Sequence, residues 1–399
     1  MEIWLPYGLS EIPVRVPDER LIDIFRPENT SYLPDPIAEA TRLLRSNETF
    51  IRQASNATRV CVVLGSCGAK QLTGDLTRTV LQFITKPQGS VTILCTEEAS
   101  EPDASSVGGS RVLRHTASSE TTDRDPLPSG LRPQVNSEFV KADLRIVVGE
   151  LRPHQFLRYS GLCDLIFPCL GSEASTRAHL ADRPGLTLDG LHTERVEVTR
   201  SFDNVFMLGL ALDGESRPTT IKFDETEACL GALEPTVNEL YSKQVTKRAD
   251  ILVMSVGGTP FDATLARAVE SFPTALNALK KGGALIVAAE CGGGHGGGQF
   301  YEWSADHKEP RYLDSRLRHR FSYDGFKASY LARILQAHRV YLVSTIPDHY
   351  VENVFGMRPA ATVNAALQSA QRAHGSDSTI SVIPNACRAT PKQPETGKQ

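Results

Sequence analysis

The sequence predicts an α/β protein that consists of two domains with largely parallel sheets. Short apolar segments bounded by glycine or polar residues alternate along the chain with amphipathic segments of helical period. That alternation is typical of strands and helices in parallel α/β sheets, whose strands are buried on both faces. The chain has 399 residues, which suffices for two to three domains at about 150 residues each.

Composition and charge narrow the classes of function. The 43 Lys and Arg residues and 47 Asp and Glu residues give a formal net charge of −4, which offers no electrostatic reason to expect a nucleic-acid partner. No apolar run approaches the roughly 18 residues of a membrane span, and no signal peptide is visible. The eight cysteines form no CxxC pair. We therefore expect reduced thiols in a cytoplasmic protein without a membrane partner; the oligomeric state stays open.

Residues 1–240 are predicted to form the N-terminal domain. Alternating polar and apolar residues at the start indicate a β-hairpin. Residues 97–135 are rich in Ser, Thr, Asp, Gly and Pro, and we expect an irregular surface insertion there, with one strand at 111–115. The remaining elements predicted in this domain are a helix at 35–46, a strand at 59–65, a helix at 73–85, a strand at 90–96, a helix from 136, a strand at 144–148, an apolar segment at 162–171 and a helix at 172–180.

Residues 241–388 are predicted to form a second α/β domain, and residues 389–399 a disordered tail. The polar segment 235–248 marks the boundary between the domains. The elements predicted in the C-terminal domain are a strand at 251–256, a helix at 264–283 broken near Pro273, a strand at 284–289, a helix at 326–338, a strand at 339–346, a helix at 361–375 and a strand at 379–386.

Two glycine-rich turns follow predicted strands of the C-terminal domain. Residues 291–298 read CGGGHGGG and residues 257–262 read GGTPFD. Ligands bind at the carboxyl ends of parallel strands, and glycine lets backbone N–H groups approach a ligand closely. Neither turn has a dinucleotide or P-loop pattern. The alternatives are a surface loop for the first turn and a helix cap at Asp262 for the second. The candidate substrate-binding residues are Gly257, Gly258, Asp262, Gly294, His295 and Gly296.

A third candidate segment, residues 151–164, follows the predicted strand that ends at Val148. His154 is a candidate general base, and Arg158 is a candidate clamp for a carboxylate. Tyr159 and Ser160 are candidate substrate contacts in the same segment. No GxSxG motif is present, so the sequence does not support Ser-His-Asp chemistry.

The motifs together resemble the nickel-pincer lactate racemase family, two-domain α/β enzymes that racemise small α-hydroxy acids. The resemblance covers most of the chain and implies a lactate racemase-like fold. It places His154 at one of the two catalytic histidines of the family. The segments that carry it are WLPYG with VRVPDE, NSEFVKADLRIVVGELRPHQF with YSG, SVGGTPFD, AAECGGGHGGGQFYEW and HRVYLVSTIPDHYVENVFGMRPA.

The resemblance also implies that several family residues are replaced. Asp164 stands where the family has the lysine that holds the nickel cofactor covalently, and a carboxylate cannot form that bond. The nickel-ligand histidine is expected near residue 180, which makes His179 a candidate metal ligand. The second catalytic histidine and the D-x-T-R motif have no visible counterpart. Arg267, a candidate substrate contact, and Glu270 replace a glutamine and a lysine that contact substrate or cofactor.

Three functions agree with these residues. The leading hypothesis is a repurposed isomerase or lyase that uses His154 as a single base on a small hydroxy or carbonyl acid bound between the domains. The second is a racemase or epimerase of an α-hydroxy acid that holds a nickel-pincer nucleotide without a covalent bond. The third is an inactive homologue that binds a ligand. The sequence does not identify the substrate.

Overall fold

The structure, a computed structural model, describes residues 1–27, 32–65, 69–84, 90–96, 99, 107, 109–180, 187–306 and 309–392. The chain divides into two compact units, neither of which is continuous in sequence. The C-terminal unit comprises Met1–Glu28, Pro153–Phe156 and Tyr241–Gln399, and the N-terminal unit comprises Asn29–Arg152 and Leu157–Leu240. In the part of the chain described here, no helix is both long enough and apolar enough to cross a membrane.

The strands of the described residues are numbered in chain order. The strands are β1 (Glu2–Tyr7), β2 (Ser10–Arg15), β3 (Leu21–Ile24), β4 (Arg59–Leu64), β5 (Ser90–Cys95), β6 (Arg111–Arg114), β7 (Thr121–Asp123), β8 (Gln134–Asn136), β9 (Leu144–Glu150), β10 (Arg152–His154), β11 (Arg158–Ser160), β12 (Val205–Leu212), β13 (Pro218–Glu225), β14 (Ser242–Gln244), β15 (Ala249–Ser255), β16 (Leu279–Ala288), β17 (Arg339–Val343), β18 (Arg358–Pro359), β19 (Ile380–Ile383) and β20 (Thr390–Lys392).

The helices connect these strands. They are α1 (Pro36–Ser46), α2 (Glu48–Asn56), α3 (Lys70–Gln82), α4 (Ser137–Lys141), α5 (Cys163–Ile166), α6 (Glu173–Leu180), α7 (Leu188–Arg200), α8 (Thr226–Tyr241), α9 (Leu265–Ala268), α10 (Pro273–Leu276), α11 (Gly298–Asp306), α12 (Pro310–His319), α13 (Tyr323–Ala337) and α14 (Val363–His374). Short 3-10 turns lie at Asp18–Arg20, Val269–Ser271 and Ala386–Arg388, and a π-helical turn lies at Tyr350–Val354.

A six-stranded sheet forms the centre of the C-terminal unit, in the order β18–β17–β16–β15–β19–β3, with every neighbouring pair parallel. Alternate residues of β15 enter different cores: Leu252 and Met254 lie in one buried cluster, and Ile251 and Val253 lie in another. The strand is therefore buried on both faces, which explains its continuous apolar sequence. This arrangement confirms the predicted α/β class with largely parallel sheets.

The first 24 residues belong to the C-terminal sheet unit rather than to the residues that follow them. Strands β1 and β2 form an antiparallel hairpin, and β3 pairs in parallel with β19 at the edge of the sheet. The ammonium of Lys243 lies 2.6 Å from Oδ1 of Asp23 on β3. The sequence-based division placed this segment and residues 153–156 in the N-terminal domain. Their grouping depends on long-range pairing, which a local sequence pattern does not contain.

The N-terminal unit is built on a second six-stranded sheet, in the order β13–β12–β9–β4–β5–β6. Strands β12 and β13 are antiparallel and the other pairs are parallel. The ring of Phe50 on α2 packs edge-on against Phe206 and Phe223, at centroid distances of 5.4 and 4.8 Å. Strands β12 and β13 were not among the predicted elements.

Three predicted segments differ from the structure. The helix expected over 264–283 is divided into α9, the 3-10 turn Val269–Ser271 and α10, which begins at Pro273, and residues 279–283 instead open β16. Within the insertion predicted at 97–135, β7 and β8 form an antiparallel pair; residues 97–98, 100–106 and 108 lie outside the described residues. Of the tail predicted to be disordered, residues 390–392 form β20, paired in parallel with β14, and residues 393–399 lie outside the description.

Candidate active site

His154 lies in the C-terminal unit, on the short segment Pro153–Phe156. Its Nδ1 accepts the backbone N–H of Phe156 at 3.2 Å, so the neutral ring carries its proton on Nε2. That Nε2 lies 3.5 Å from Oε2 of Glu270, and the His154 side chain is 6% exposed. The ring is therefore nearly buried, but its proton faces a carboxylate rather than hydrocarbon.

Glu270 lies between His154 and a lysine. Its Oε1 is 2.7 Å from Nζ of Lys327 on α13, with 14% of the glutamate side chain and 6% of the lysine side chain exposed. Burial raises the pKa of Glu270, but the charge of Lys327 and the hydrogen bond and charge of His154 outweigh burial and bring that pKa well below its usual range. Glu270 is therefore ionised at neutral pH. We refer to His154, Glu270 and Lys327 as the buried triad.

The buried triad is surrounded by aromatic rings and by one further carboxylate. The ring of Phe156 packs edge-on against Phe326 and Tyr330 of α13, at centroid distances of 5.0 and 4.9 Å. The ammonium of Lys327 lies 4.4 Å from the ring centroid of Tyr323 and 3.9 Å from Oδ1 of Asp324. These contacts hold the segment that carries His154 against α13 and limit the freedom of its ring.

Lys327 was not among the predicted site residues. The sequence indicates an amphipathic helix at this position, and lysines of such helices are almost always exposed unless they are paired. Position 270 indicated indirectly that a cation lies nearby. The resemblance implies a lysine at this position, where this chain has glutamate. A buried carboxylate needs a cation, and Lys327 supplies it.

The two glycine-rich turns are joined to each other in the C-terminal unit. Four backbone hydrogen bonds connect them: Cys291 N to Asp262 O at 2.8 Å, Gly293 N to Ala263 O at 2.8 Å, Leu265 N to Gly294 O at 3.0 Å and Ala266 N to His295 O at 3.1 Å. The N–H of Gly294 binds Cys291 O at 2.8 Å. The N–H groups of residues 291, 293 and 294 are therefore used within the fold, whereas the sequence suggested that this loop offers its N–H groups to a ligand.

Close packing explains why glycine occupies this loop. A Cβ on Gly293 would lie 2.8 Å from the carbonyl oxygen of Ala263, and one on Gly296, whose φ is +91°, would lie 2.7 Å from Cβ of Ala266. His295 is partly buried, with its ring 5.0 Å from that of Tyr301. Its buried Nδ1 has no hydrogen-bond partner among the described residues. A ligand contact at His295 stays a prediction.

Asp262 connects three segments of the C-terminal unit. Its Oδ2 accepts the N–H of Gly8 at 2.7 Å and the N–H of Glu290 at 3.0 Å, and the residue has no exposed surface. Gly258 has a φ of +69°, and a Cβ there would lie 2.9 Å from Gly8 O. Gly257 has a φ of +122°. These contacts give Asp262 a structural role, and its direct contact with substrate stays a prediction.

The remaining predicted residue of the C-terminal unit is Arg267. It is 9% exposed, and its guanidinium carbon lies 5.8 Å from the ring centroid of Phe261. It precedes Glu270 by one helical turn of the same segment. The C-terminal unit thus contains His154, Arg267 and both glycine-rich turns, together with the two triad partners of His154.

The other predicted residues lie in the N-terminal unit. Arg158 forms an ion pair with Asp189, and the hydroxyl of Tyr159 accepts a hydrogen bond from Nδ2 of Asn238 at 2.6 Å. The hydroxyl of Ser160 donates to Oδ2 of Asp164 at 2.7 Å. Contacts of Arg158, Tyr159 and Ser160 with substrate stay predictions.

Asp164, which the resemblance places at the position of the family lysine, has hydrogen-bond partners on both carboxylate oxygens. Its Oδ1 accepts the N–H groups of Gly161 at 2.6 Å and Leu162 at 3.0 Å, while Oδ2 accepts the hydroxyl of Ser160. The residue is 4% exposed. The carboxylate thus supports the turn before α5, and a covalent attachment of a cofactor at this position does not fit the residues present.

His179 is fully buried in the N-terminal unit. Its Nδ1 lies 2.8 Å from Oε2 of Glu194, and its ring centroid is 5.2 Å from that of Phe167. Within the described ranges, no group of three or more His, Cys, Asp or Glu residues is placed to hold a metal ion. A metal-binding role for His179 therefore stays a prediction without a ligand set around it.

Comparison with protein families gives two matches. Residues 7–182 match the lactate racemase N-terminal domain, and residues 244–389 match the lactate racemase C-terminal domain. The chain is 29% identical over 427 aligned positions to the lactate racemase of Thermoanaerobacterium thermosaccharolyticum, covering 96% of this chain and 97% of the relative. It is 28% identical over 272 positions to the lactate racemase of Lactiplantibacillus plantarum, covering 65% of this chain and 64% of that one.

Solved structures give the same result. The lactate racemase apoprotein from Thermoanaerobacterium thermosaccharolyticum matches with a TM-score of 0.84 and 25% identity, covering 98% of this chain and all of that one. A structural-genomics protein from Thermotoga maritima matches with a TM-score of 0.66 and 14% identity, covering 90% and 97% of the two chains. The second match concerns the fold alone.

Proposed function

This chain belongs to the lactate racemase family, and from that premise we propose that it is a racemase-type isomerase that inverts the configuration of a small α-hydroxy acid. The observation that carries the proposal is the likeness to lactate racemases along nearly the whole chain, in sequence and in fold. These relatives favour the racemase over the single-base isomerase or lyase, which was our leading hypothesis from the sequence.

We propose that His154 exchanges the proton on one face of the reacting carbon in this reaction, with solvent water as the proton partner on the opposite face. In the neutral ring Nε2 carries the proton and faces Glu270, so Nδ1 is the nitrogen that can take up a proton. Proton uptake at Nδ1 displaces the 3.2 Å hydrogen bond from the N–H of Phe156. A positioned histidine that gives and takes a proton typically contributes 10²–10⁴-fold to a rate. We assign no step to a nickel cofactor, because the hydrogen-bonded Asp164 does not fit a covalent attachment.

A single-base isomerase or lyase is the second candidate. It is favoured by the hydrogen bonds of Asp164 with Ser160, Gly161 and Leu162, at the position where the resemblance implies the family lysine. Removal of a proton from one face of a carbon needs one base, whereas inversion needs a proton to be delivered from the opposite face. The products of the two reactions differ, so one assay separates them.

The experiment follows the fate of single enantiomers. The purified protein is incubated with L- or D-lactate and with other small 2-hydroxy acids, in normal water and in deuterium oxide, and the products are separated by chiral chromatography. We expect one acid to approach equal amounts of both enantiomers. His154→Ala should lower this rate by at least about 100-fold, and the exposed His319→Ala on α12 serves as the matched control.

Each other outcome has a definite meaning. A dehydrated or isomerised product without inversion would support the single-base isomerase or lyase and contradict the racemase. Absence of any conversion across the panel, with bound acid detected by calorimetry, would contradict both enzymatic proposals and favour an inactive binding homologue. Equal rates for His154→Ala and the unchanged protein would exclude His154 as the proton-transfer residue.

A further inference from the structure

We propose that Glu270 is a positioning residue for His154, and that Lys327 holds the Glu270 carboxylate in place for this role. The inference rests on the proposed function, because it assumes that His154 transfers the proton. It deepens that function by adding two residues on two other segments of the C-terminal unit. Glu270 lies in the turn Val269–Ser271 and Lys327 on α13.

The two oxygens of Glu270 have different partners. Oε1 lies 2.7 Å from Nζ of Lys327, and Oε2 lies 3.5 Å from Nε2 of His154. With Nδ1 of His154 bound to the N–H of Phe156, both ring nitrogens face a defined partner. The ring is therefore oriented from both sides: Nε2–H points at the Glu270 carboxylate, which leaves Nδ1 as the nitrogen that exchanges a proton once the Phe156 N–H is displaced.

The stability of the fold does not by itself explain why Glu270 and Lys327 form a buried ion pair. Removing a carboxylate and an ammonium from water costs several kcal/mol per ion, and a well-packed apolar pair of similar volume is often as stable or more so. Both side chains of the pair are nearly buried, with 14% and 6% exposed. A buried carboxylate that faces the ring nitrogen opposite the reacting one orients the histidine in catalytic triads, and Glu270 faces His154 in the same way.

The titratable and charged groups around the triad lie on two segments, α13 and the segment that carries Glu270. On α13, Asp324 lies 3.9 Å from Nζ of Lys327, and burial raises the pKa of the Tyr330 hydroxyl, which keeps it neutral beside Phe156. On the segment of Glu270 itself, Arg267 lies one turn away, over the ring of Phe261. The Glu270 carboxylate is thus the direct charged neighbour of the imidazole, and Lys327 compensates part of its negative charge.

The test uses two substitutions that remove opposite charges. Glu270→Gln removes the negative neighbour of His154 and keeps its shape, whereas Lys327→Met removes the positive partner and leaves Glu270 uncompensated. The titration of the His154 ring is followed by NMR in 15N-histidine-labelled protein, with His154→Gln identifying its signal. We expect the midpoint to move to lower pH in Glu270→Gln and to higher pH in Lys327→Met, by about one pH unit each.

The matched control is Arg333→Met, also on α13, which breaks the ion pair between Arg333 and Asp314 of α12. It should leave the midpoint unchanged. For turnover, Glu270→Gln should lower kcat by about 10- to 100-fold with little change in KM, since a positioning residue acts on the transition state more than on substrate binding.

Opposite movements of the midpoint are not produced by a general loosening of the fold, so they would support the positioning role even where Lys327→Met is less stable. Movement in the same direction, or no movement in Glu270→Gln, would overturn the proposal. If the titration moves as expected while no acid is converted by the unchanged protein, the positioning role stands and the proposed function fails.

Discussion

The backbone N–H of Gly8 donates a hydrogen bond of 2.7 Å to Oδ2 of Asp262, although 254 residues separate them in the chain. The same oxygen accepts the N–H of Glu290, just after β16, and the carbonyl of Gly8 accepts the N–H of Thr259 at 2.9 Å. One buried carboxylate therefore joins the hairpin β1–β2 to the glycine-rich turn after β15 and to the end of β16.

Asp262→Ala should lower the free energy of unfolding by about 2–4 kcal/mol, because two buried N–H groups lose their acceptor. Asp262→Asn should cost less, since its amide oxygen still accepts a hydrogen bond. Urea unfolding followed by circular dichroism measures both changes. The control is Asp377→Ala, which removes an 88% exposed carboxylate that pairs with Arg20 and should change the free energy by less than about 1 kcal/mol. Equal losses for Asp262→Ala and Asp377→Ala would contradict the structural role.

Gly161→Ala and Gly130→Ala should differ strongly in stability. Both glycines have positive φ, +112° and +84°, but a Cβ on Gly161 would lie 1.7 Å from the carbonyl oxygen of Glu150, whereas one on Gly130 meets nothing within 4 Å. We expect Gly130→Ala to lower the free energy of unfolding by about 1–2 kcal/mol through backbone strain alone. We expect Gly161→Ala to lower it by more than twice as much. Calorimetric Tm values provide the comparison, and similar Tm values for the two variants would mean that β9 and the turn at Gly161 are farther apart.

The purified protein should carry no covalent adduct at position 164. Intact-mass spectrometry should give the mass of the unmodified sequence, because the resemblance implies the family lysine at position 164 and this chain has there a carboxylate engaged in three hydrogen bonds. Asp164→Lys should lower the Tm rather than restore attachment, since two N–H groups and one hydroxyl lose their acceptor. Asp164→Asn, which keeps an acceptor, is the milder control. An adduct mapped by peptide digestion to the turn around α5 would show that the prediction is wrong.

Because of Asp250, the free energy of unfolding should depend on pH in the acidic range. Burial raises the pKa of Asp250, but hydrogen bonds from Lys280 and Thr379 outweigh burial and lower that pKa to about 2. The unfolded chain has a pKa of about 3.9 at such a group. The stabilisation is therefore complete above about pH 4 and is lost as pH falls towards 2.

Asp250→Asn removes the charge and tests that dependence. The unchanged protein should exceed the variant in unfolding free energy by about 1–2 kcal/mol at pH 6, and the difference should shrink towards zero near pH 2. Urea titrations at several pH values measure it, with Asp377→Asn as the exposed control in the same unit. A difference that stays constant between pH 6 and pH 2 would contradict the prediction.

The local sequence pattern was sufficient to predict the strands and helices whose residues are buried periodically or continuously. The apolar segment 251–256 predicted β15 because a strand buried on both faces has no polar face. The same reasoning did not find that β3 belongs with β19, because a four-residue strand contains no information about its distant partner. The motif around His154 was visible in sequence, whereas Lys327 required knowledge of what lies opposite Glu270. The glycine-rich loop was predicted from composition, but the partners of its N–H groups are set by tertiary contacts.

The pairing of β3 with β19 has a consequence for synthesis on the ribosome. The partner strand Ile380–Ile383 is made about 360 residues after β3, which takes about 20–70 s at about 5–20 residues per second. During that interval strand β3 lacks its native partner strand, and the hairpin β1–β2 lacks the later-made residues that cover its apolar face. A segment that is made well before its partner is thus among the last to reach its final place, and a nascent chain stalled before residue 380 should leave β3 accessible to chaperones and proteases.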